Sequence, residues 1–106
     1  PVMTLEMLHA LTRLQAEGRK GVLVTVVSTR GSTPQKAGAQ MLVMGDGTIF
    51  GTIGGGCSEA EVKMQALMAM DDNRAFLYTV NLLDDIAAEE GMVCGGVMDV
   101  FLQVVA

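Results

Sequence analysis

The run Gly21 to Thr29, Gly-Val-Leu-Val-Thr-Val-Val-Ser-Thr, is nearly all apolar and rich in β-branched side chains. Branching at Cβ suits the pleated backbone of a strand, and apolar residues at odd and even positions alike leave neither face for water. Such a strand belongs in the middle of a sheet that other elements cover. The rest of the chain therefore has to supply both neighbouring strands and covering helices.

Two helical patterns are available. Leucines at 5, 8, 11 and 14, with Met7 and Ala10, make a stripe between Thr4, a suitable N-cap, and Gly18, a suitable stop. From Ser58 to Asp72, Ala60, Met64, Leu67 and Met68 share one expected helical face, with Asn73 as the terminator. Ala39 to Met44 and Thr48 to Ile53 flank Gly45-Asp46-Gly47, a hairpin turn signal, and are expected to pair antiparallel. Ala75 to Leu82 and Val97 to Val105 read as further strands, and Asp84 to Glu90 as an acidic helical turn or loop. The expected class is α+β: a mixed, mostly antiparallel sheet covered by two main helices, in a single domain over residues 1–106.

Half of the 106 residues are apolar, a core large enough to fold without disulfides or metals. The net charge of -5, spread along the chain, argues against nucleic acid or an anionic membrane surface as the main partner. No stretch approaches the length of a spanning helix, and Pro1-Val2-Met3-Thr4 lacks the flank of a signal peptide. The expected location is the cytoplasm, where both cysteines stay reduced.

Three segments carry the chemical interest. Gly54-Gly55-Gly56-Cys57 lies between a strand and a helix, where bare backbone can approach a ligand and the helix dipole favours an anion or lowers a thiol pKa from about 8.5. A tight turn whose glycines serve only backbone geometry is the equal alternative. Glu59 and Glu61 favour helix initiation but repel an anion, and a carboxylate there is also a candidate proton acceptor or metal ligand. The loop Arg30 to Gly38 gathers two cations and two hydroxyls, as a phosphate grip does, or as any solvated loop does. In the third segment, Gly91 to Gly96, Cys94 precedes Gly95-Gly96, either as a second working thiol or as a half-buried turn cysteine. His9 reads as a surface residue of the first helix, and no glycine run fits a P-loop or a dinucleotide fingerprint.

Taken in order, Val24 to Pro34, Gly38 to Val43, Gly47 to Ala60 and Val93 to Gly96 resemble the XdhC/CoxI family, the accessory factors of xanthine dehydrogenase and carbon monoxide dehydrogenase. The resemblance covers nearly the whole chain. It implies a maturation protein that binds the molybdenum cofactor (molybdopterin), supports its sulfuration with a cysteine desulfurase, and hands it to an apo-molybdoenzyme. Transposed to this sequence, it implicates Gly54, Gly55, Gly56, Cys57 and Glu59, the loop with Gly31, Ser32, Pro34 and Lys36, and Cys94, Gly95 and Gly96. Cys57 and Cys94 would be the soft ligands or sulfur-handling groups toward molybdenum, Lys36 and the glycine amides the phosphate contacts, and Glu59 an orienting or proton-accepting group. Gln35, Ala37 and Gln40 depart from relatives that commonly carry basic residues or proline there, which leaves fewer cations. The Rossmann-like C-terminal domain frequent in relatives has no counterpart in residues 1–106, which implies a short form or a piece. A homo-oligomer is expected of so small an apolar domain. A thiol-dependent transferase using Cys57 and a recruiting domain that never touches cofactor are the competing expectations.

Overall fold

A computed structural model describes residues 3–82 and 95–105. The elements run α1 (Leu5–Glu17), β1 (Gly21–Arg30), β2 (Gln40–Met44), β3 (Ile49–Gly51), α2 (Gly56–Asp72), β4 (Phe76–Asn81) and β5 (Val97–Val105). The five strands form one sheet in the order β3-β2-β1-β5-β4, and all four pairings are antiparallel. The apolar run is the central strand, as its composition requires. Asp84 to Glu90 and Cys94 lie outside the described residues.

Alternation along the strands sends side chains to two faces. Val22, Val24 and Val26 join Met41, Val43, Met98, Val100 and Leu102 beneath α2, which contributes Val62, Ala66 and Ala69. On the other face α1 sets Met7, Ala10 and Leu14 over Leu42 and Met44. Each fully buried Val, Leu or Met contributes about 1.5–3 kcal/mol. Coverage of this second face is incomplete, since Val27 of β1 and Leu77 of β4 remain 46% and 64% exposed. The side of β1 under α2 is the better sealed, fully buried at Val22, Val24 and Val26.

In α1 the buried face is part of the expected stripe, whereas α2 buries a different face from the expected one. In α1 the buried positions are Met7, Ala10 and Leu14, while Leu5 and Leu8 are exposed. At 100° per residue, Leu8 and Leu5 stand roughly 100° and 160° from Met7, whereas Ala10, Leu11 and Leu14 lie within about 60° of it. In α2 the buried positions Ser58, Val62, Ala66 and Ala69 replace the expected Ala60, Met64, Leu67 and Met68; Leu67 is half-buried against the core, and the other three are exposed. Small alanines allow the helix axis close to the sheet, a role that long methionines cannot fill. The caps of α1 match expectation: the Thr4 hydroxyl accepts from Met7 N–H, and Gly18 closes the helix at φ 66°.

Candidate functional site

Antiparallel pairing brings the loop from Arg30 to Gly38, the turn from Gly54 to Cys57 and Gly95-Gly96 to one end of the sheet. There β1 leaves at Arg30, β3 ends at Gly51, α2 begins at Gly56, and Gly95-Gly96 leads into β5. The loop after β1 turns back at a bulge beyond Val26, whose N–H donates to Ala39 C=O and whose C=O accepts from Gly38 N–H.

Absent side chains are what allow the segments to touch. A Cβ on Gly96 would lie 2.0 Å from the Ser32 carbonyl oxygen, and one on Gly54 would lie 2.4 Å from Cγ of Pro34. Gly31 meets Gly95 in the same way, with 2.8 Å to its carbonyl oxygen. These glycines are spent on loop-to-loop packing. Gly55 and Gly56 differ, because among the described residues a Cβ on either would find no heavy atom within 4 Å. Of the glycines that sequence reasoning grouped together, these two have room beside them for a ligand.

The turn itself is an uninterrupted left-handed run, with φ of 136°, 78° and 69° at Gly54, Gly55 and Gly56. The backbone of Cys57 follows as the second residue of α2. Glu59, one turn into the helix, reaches back to the bend. Its Oε2 accepts from the Thr52 hydroxyl at 2.6 Å, Gly55 N–H at 2.9 Å and Ile53 N–H at 3.3 Å. The Thr52 hydroxyl oxygen in turn accepts from Gly54 N–H at 2.9 Å. The amides of Ile53, Gly54 and Gly55 thus already have protein partners, a result the glycine composition did not foretell. Glu61 turns elsewhere and accepts from the Tyr78 hydroxyl on β4.

Ser32, Pro34 and Lys36 are exposed on the adjoining loop, and Thr33 folds inward to donate to Gln35 C=O. Just below this loop, Asp99 accepts from Ser28 at 2.7 Å, Thr79 at 2.8 Å and Arg30 at 2.9 Å. These bonds, with Ser28 the strongest influence, hold its carboxyl down to about pKa 2. Asp99 thereby ties β1, β5 and β4 together beneath the site. Asp99 and Thr52 were not singled out from sequence, since the partners of one are fixed by strand register and those of the other by a reach from Glu59 that no motif spells out. Among the described residues no group of three His, Cys, Asp or Glu side chains is arranged to hold a metal ion. A separate cleft of about 290 Å³, lined by His9, Arg13, Leu14 and Phe50 among others, includes none of the residues singled out for chemistry.

The chain belongs to the XdhC and CoxI family, whose profile matches residues 14–81. Among individual relatives it is 44% identical over 57 residues to the molybdenum cofactor insertion chaperone PaoD of Escherichia coli K12, covering 54% of this chain and 18% of that protein. It is 36% identical over 97 residues to a protein of Bacillus subtilis 168 named as a probable xanthine dehydrogenase subunit, covering 89% of this chain and 28% of the relative. A crystal structure of a xanthine dehydrogenase from Bacillus halodurans superimposes with a TM-score of 0.74 at 26% identity, over 92% of this chain and 30% of that one. The chain spans less than a third of the length of each of these proteins. No described helix is long and apolar enough to cross a membrane.

Proposed function

We propose that this chain serves the maturation of a molybdenum hydroxylase such as xanthine or carbon monoxide dehydrogenase. It binds the molybdenum cofactor, assists its sulfuration alongside a cysteine desulfurase, and delivers it to the apo-enzyme as a chaperone rather than a catalyst. Family membership supports the general role, and one relative is named as a molybdenum cofactor insertion chaperone.

The observation that carries the cofactor reading is the convergence of the Ser32-Lys36 loop, the glycine-cysteine turn and Gly95-Gly96, with space beside Gly55 and Gly56 that no described residue fills. The donor set suits a phosphorylated pterin. An ammonium at Lys36, a hydroxyl at Ser32 and the bare backbone of Gly56 match a phosphate, the Gly55 N–H being already given to Glu59, while thiols at Cys57 and Cys94 match a soft metal. When bound, the cofactor supplies the molybdenum and sulfur chemistry, and the chain holds and orients it. Cytoplasmic location and a homo-oligomer complete the proposal; the exposed Met64 and Met68, one turn apart on α2, offer an apolar stripe to a second copy.

A second reading has its own support. Because Glu59 and Thr52 already occupy three amides of the turn, the same surface also suits a domain that recruits the molybdoenzyme without touching its cofactor. Purification from molybdenum-replete cells separates the two, with pterin measured by fluorescence after oxidation and molybdenum by mass spectrometry. The wild-type chain is expected to retain both and Cys57→Ala to lose most of each. Equal retention removes Cys57 as a ligand, and absence of both from the wild type leaves recruitment as the function. Alkylation of Cys57 over a pH series tests the transferase alternative, which requires a thiol pKa well below about 8.5.

A further inference from the structure

We propose that Glu59 is a positioning residue: its carboxylate is the strut that fixes the glycine-cysteine turn, and it neither takes a proton from the ligand nor coordinates metal. The part concerning cofactor rests on the function proposed above, whereas the strut itself rests on geometry alone.

Three successive glycines at positive φ have no side chains with which to hold themselves, and glycine loses more freedom on ordering than any other residue. An outside group must select one conformation. Glu59 Oε2 gathers donors from both sides of the bend, Thr52 and Ile53 before it and Gly55 within it. One oxygen therefore ties the exit of β3 to the N-cap of α2. Thr52 extends the tie, because the hydroxyl that donates to Glu59 also accepts from Gly54 N–H. The base of the strut is rigid: α2 is pinned to the sheet through Val62, Ala66 and Ala69, all at most 1% exposed. Pro34 closes the bend from the loop side against Gly54.

Glycine at the N-cap has no side chain to offer, and Glu59 instead holds the N-cap residue's own N–H from one turn inside the helix. With Oε2 engaged by three donors, the carboxylate faces inward to the backbone. The ligand is then met by the free side of Gly55 and Gly56 and by the start of α2.

Amide hydrogen exchange by NMR, read at Ile53, Gly54 and Gly55, tests the strut in the unliganded chain, and pterin retention tests its consequence. Glu59→Ala is expected to speed exchange at Gly55 about tenfold, the loss of one net hydrogen bond, while β1 and β5 amides are unchanged. Glu59→Gln keeps an acceptor oxygen at the same reach and is expected to stay within about threefold of wild type at Ile53 and Gly55 and to retain pterin. Thr52→Val is expected to speed exchange at Gly54, whose N–H loses its acceptor, with Thr52→Ser restoring protection. Should Glu59→Ala fail to fold, the Gln and Thr52 variants decide. Unchanged exchange at Gly55 in Glu59→Ala, or at Gly54 in Thr52→Val, overturns the strut. Pterin lost from Glu59→Gln with protection intact also overturns it, since the charge would then be acting on the ligand. If the wild type holds no pterin, the function proposed above fails while the exchange results still decide the strut.

Discussion

Replacing Gly96 by alanine isolates the contact that locks the two outer loops. The new Cβ would lie 2.0 Å from the Ser32 carbonyl oxygen and 2.7 Å from Thr33 Cγ2, whereas Cβ atoms essentially never come within 3.0 Å of such neighbours. One backbone must retreat by about 1 Å, and neither is free to do so. The loop is hooked at Val26 through Gly38 and Ala39, and the Gly96 carbonyl accepts from Leu82 N–H. Overpacking of this kind costs about 1–3 kcal/mol, and a clash with backbone belongs at the upper end. For a domain of this size each kcal/mol lowers the melting temperature by about 4–8 °C, so Gly96→Ala is expected to melt roughly 12–24 °C below wild type by circular dichroism. Gly45→Ala is the control. Its Cβ would make an ordinary 3.7 Å contact with Met70 Sδ at a backbone conformation open to any residue, so it is expected to be neutral or stabilising by about 0.4–1 kcal/mol. A Gly96→Ala protein melting within about 2 °C of wild type would refute the claim that these glycines serve loop packing.

Acid titration should expose the Asp99 network. Its carboxyl is held down to about 2 by Ser28, Thr79 and Arg30, so its contribution is complete above the ordinary value of 3.8 and is lost as pH falls through about 2. The urea midpoint is therefore expected to fall between pH 4 and pH 2, and less steeply in Asp99→Asn. In α2, Ala66→Leu is expected to cost about 1–3 kcal/mol against the sheet, whereas Met64→Lys should change stability by less than about 0.5 kcal/mol; the reverse order in urea unfolding would mean the other face is buried. The double change Met64→Lys, Met68→Lys is expected to shift the mass in light scattering toward monomer, and an unchanged oligomer would remove this stripe from the interface.

Much of the architecture could be read from residue types because the signals were local. The β-branched run at 21–29, the Gly45-Asp46-Gly47 turn and the Thr4 and Gly18 caps each state their own conformation. Helix faces were harder. Large apolar residues dominate a sequence-based choice of face, yet Ala66 and Ala69 lie against the sheet because closeness there demands small side chains, leaving Met64 and Met68 outside. At the site, glycines at 54, 55, 56, 95 and 96 look equivalent as letters. Only the neighbours supplied by register separate Gly54 and Gly96, which accommodate another segment, from Gly55 and Gly56, which do not. Glu59 was visible as a charge near a helix start. Its direction, back into the bend, depends on where Thr52 and Ile53 are carried by a strand that ends at Gly51.

The pairing of β1 with β5 has a consequence for the order in which the chain acquires its shape. Ser28 and Asp99 meet although they are 71 positions apart, and this seam joins the middle of the sheet. Contacts so distant along the chain form slowly, since a long loop must close before any of them is made. During synthesis β1 waits with one edge bare until residues 97–105 emerge from the ribosome, exposing an apolar strand to other nascent chains in the interval. The end of the domain where the loops meet, which depends on Gly96 arriving beside Ser32, is among the last parts to take form.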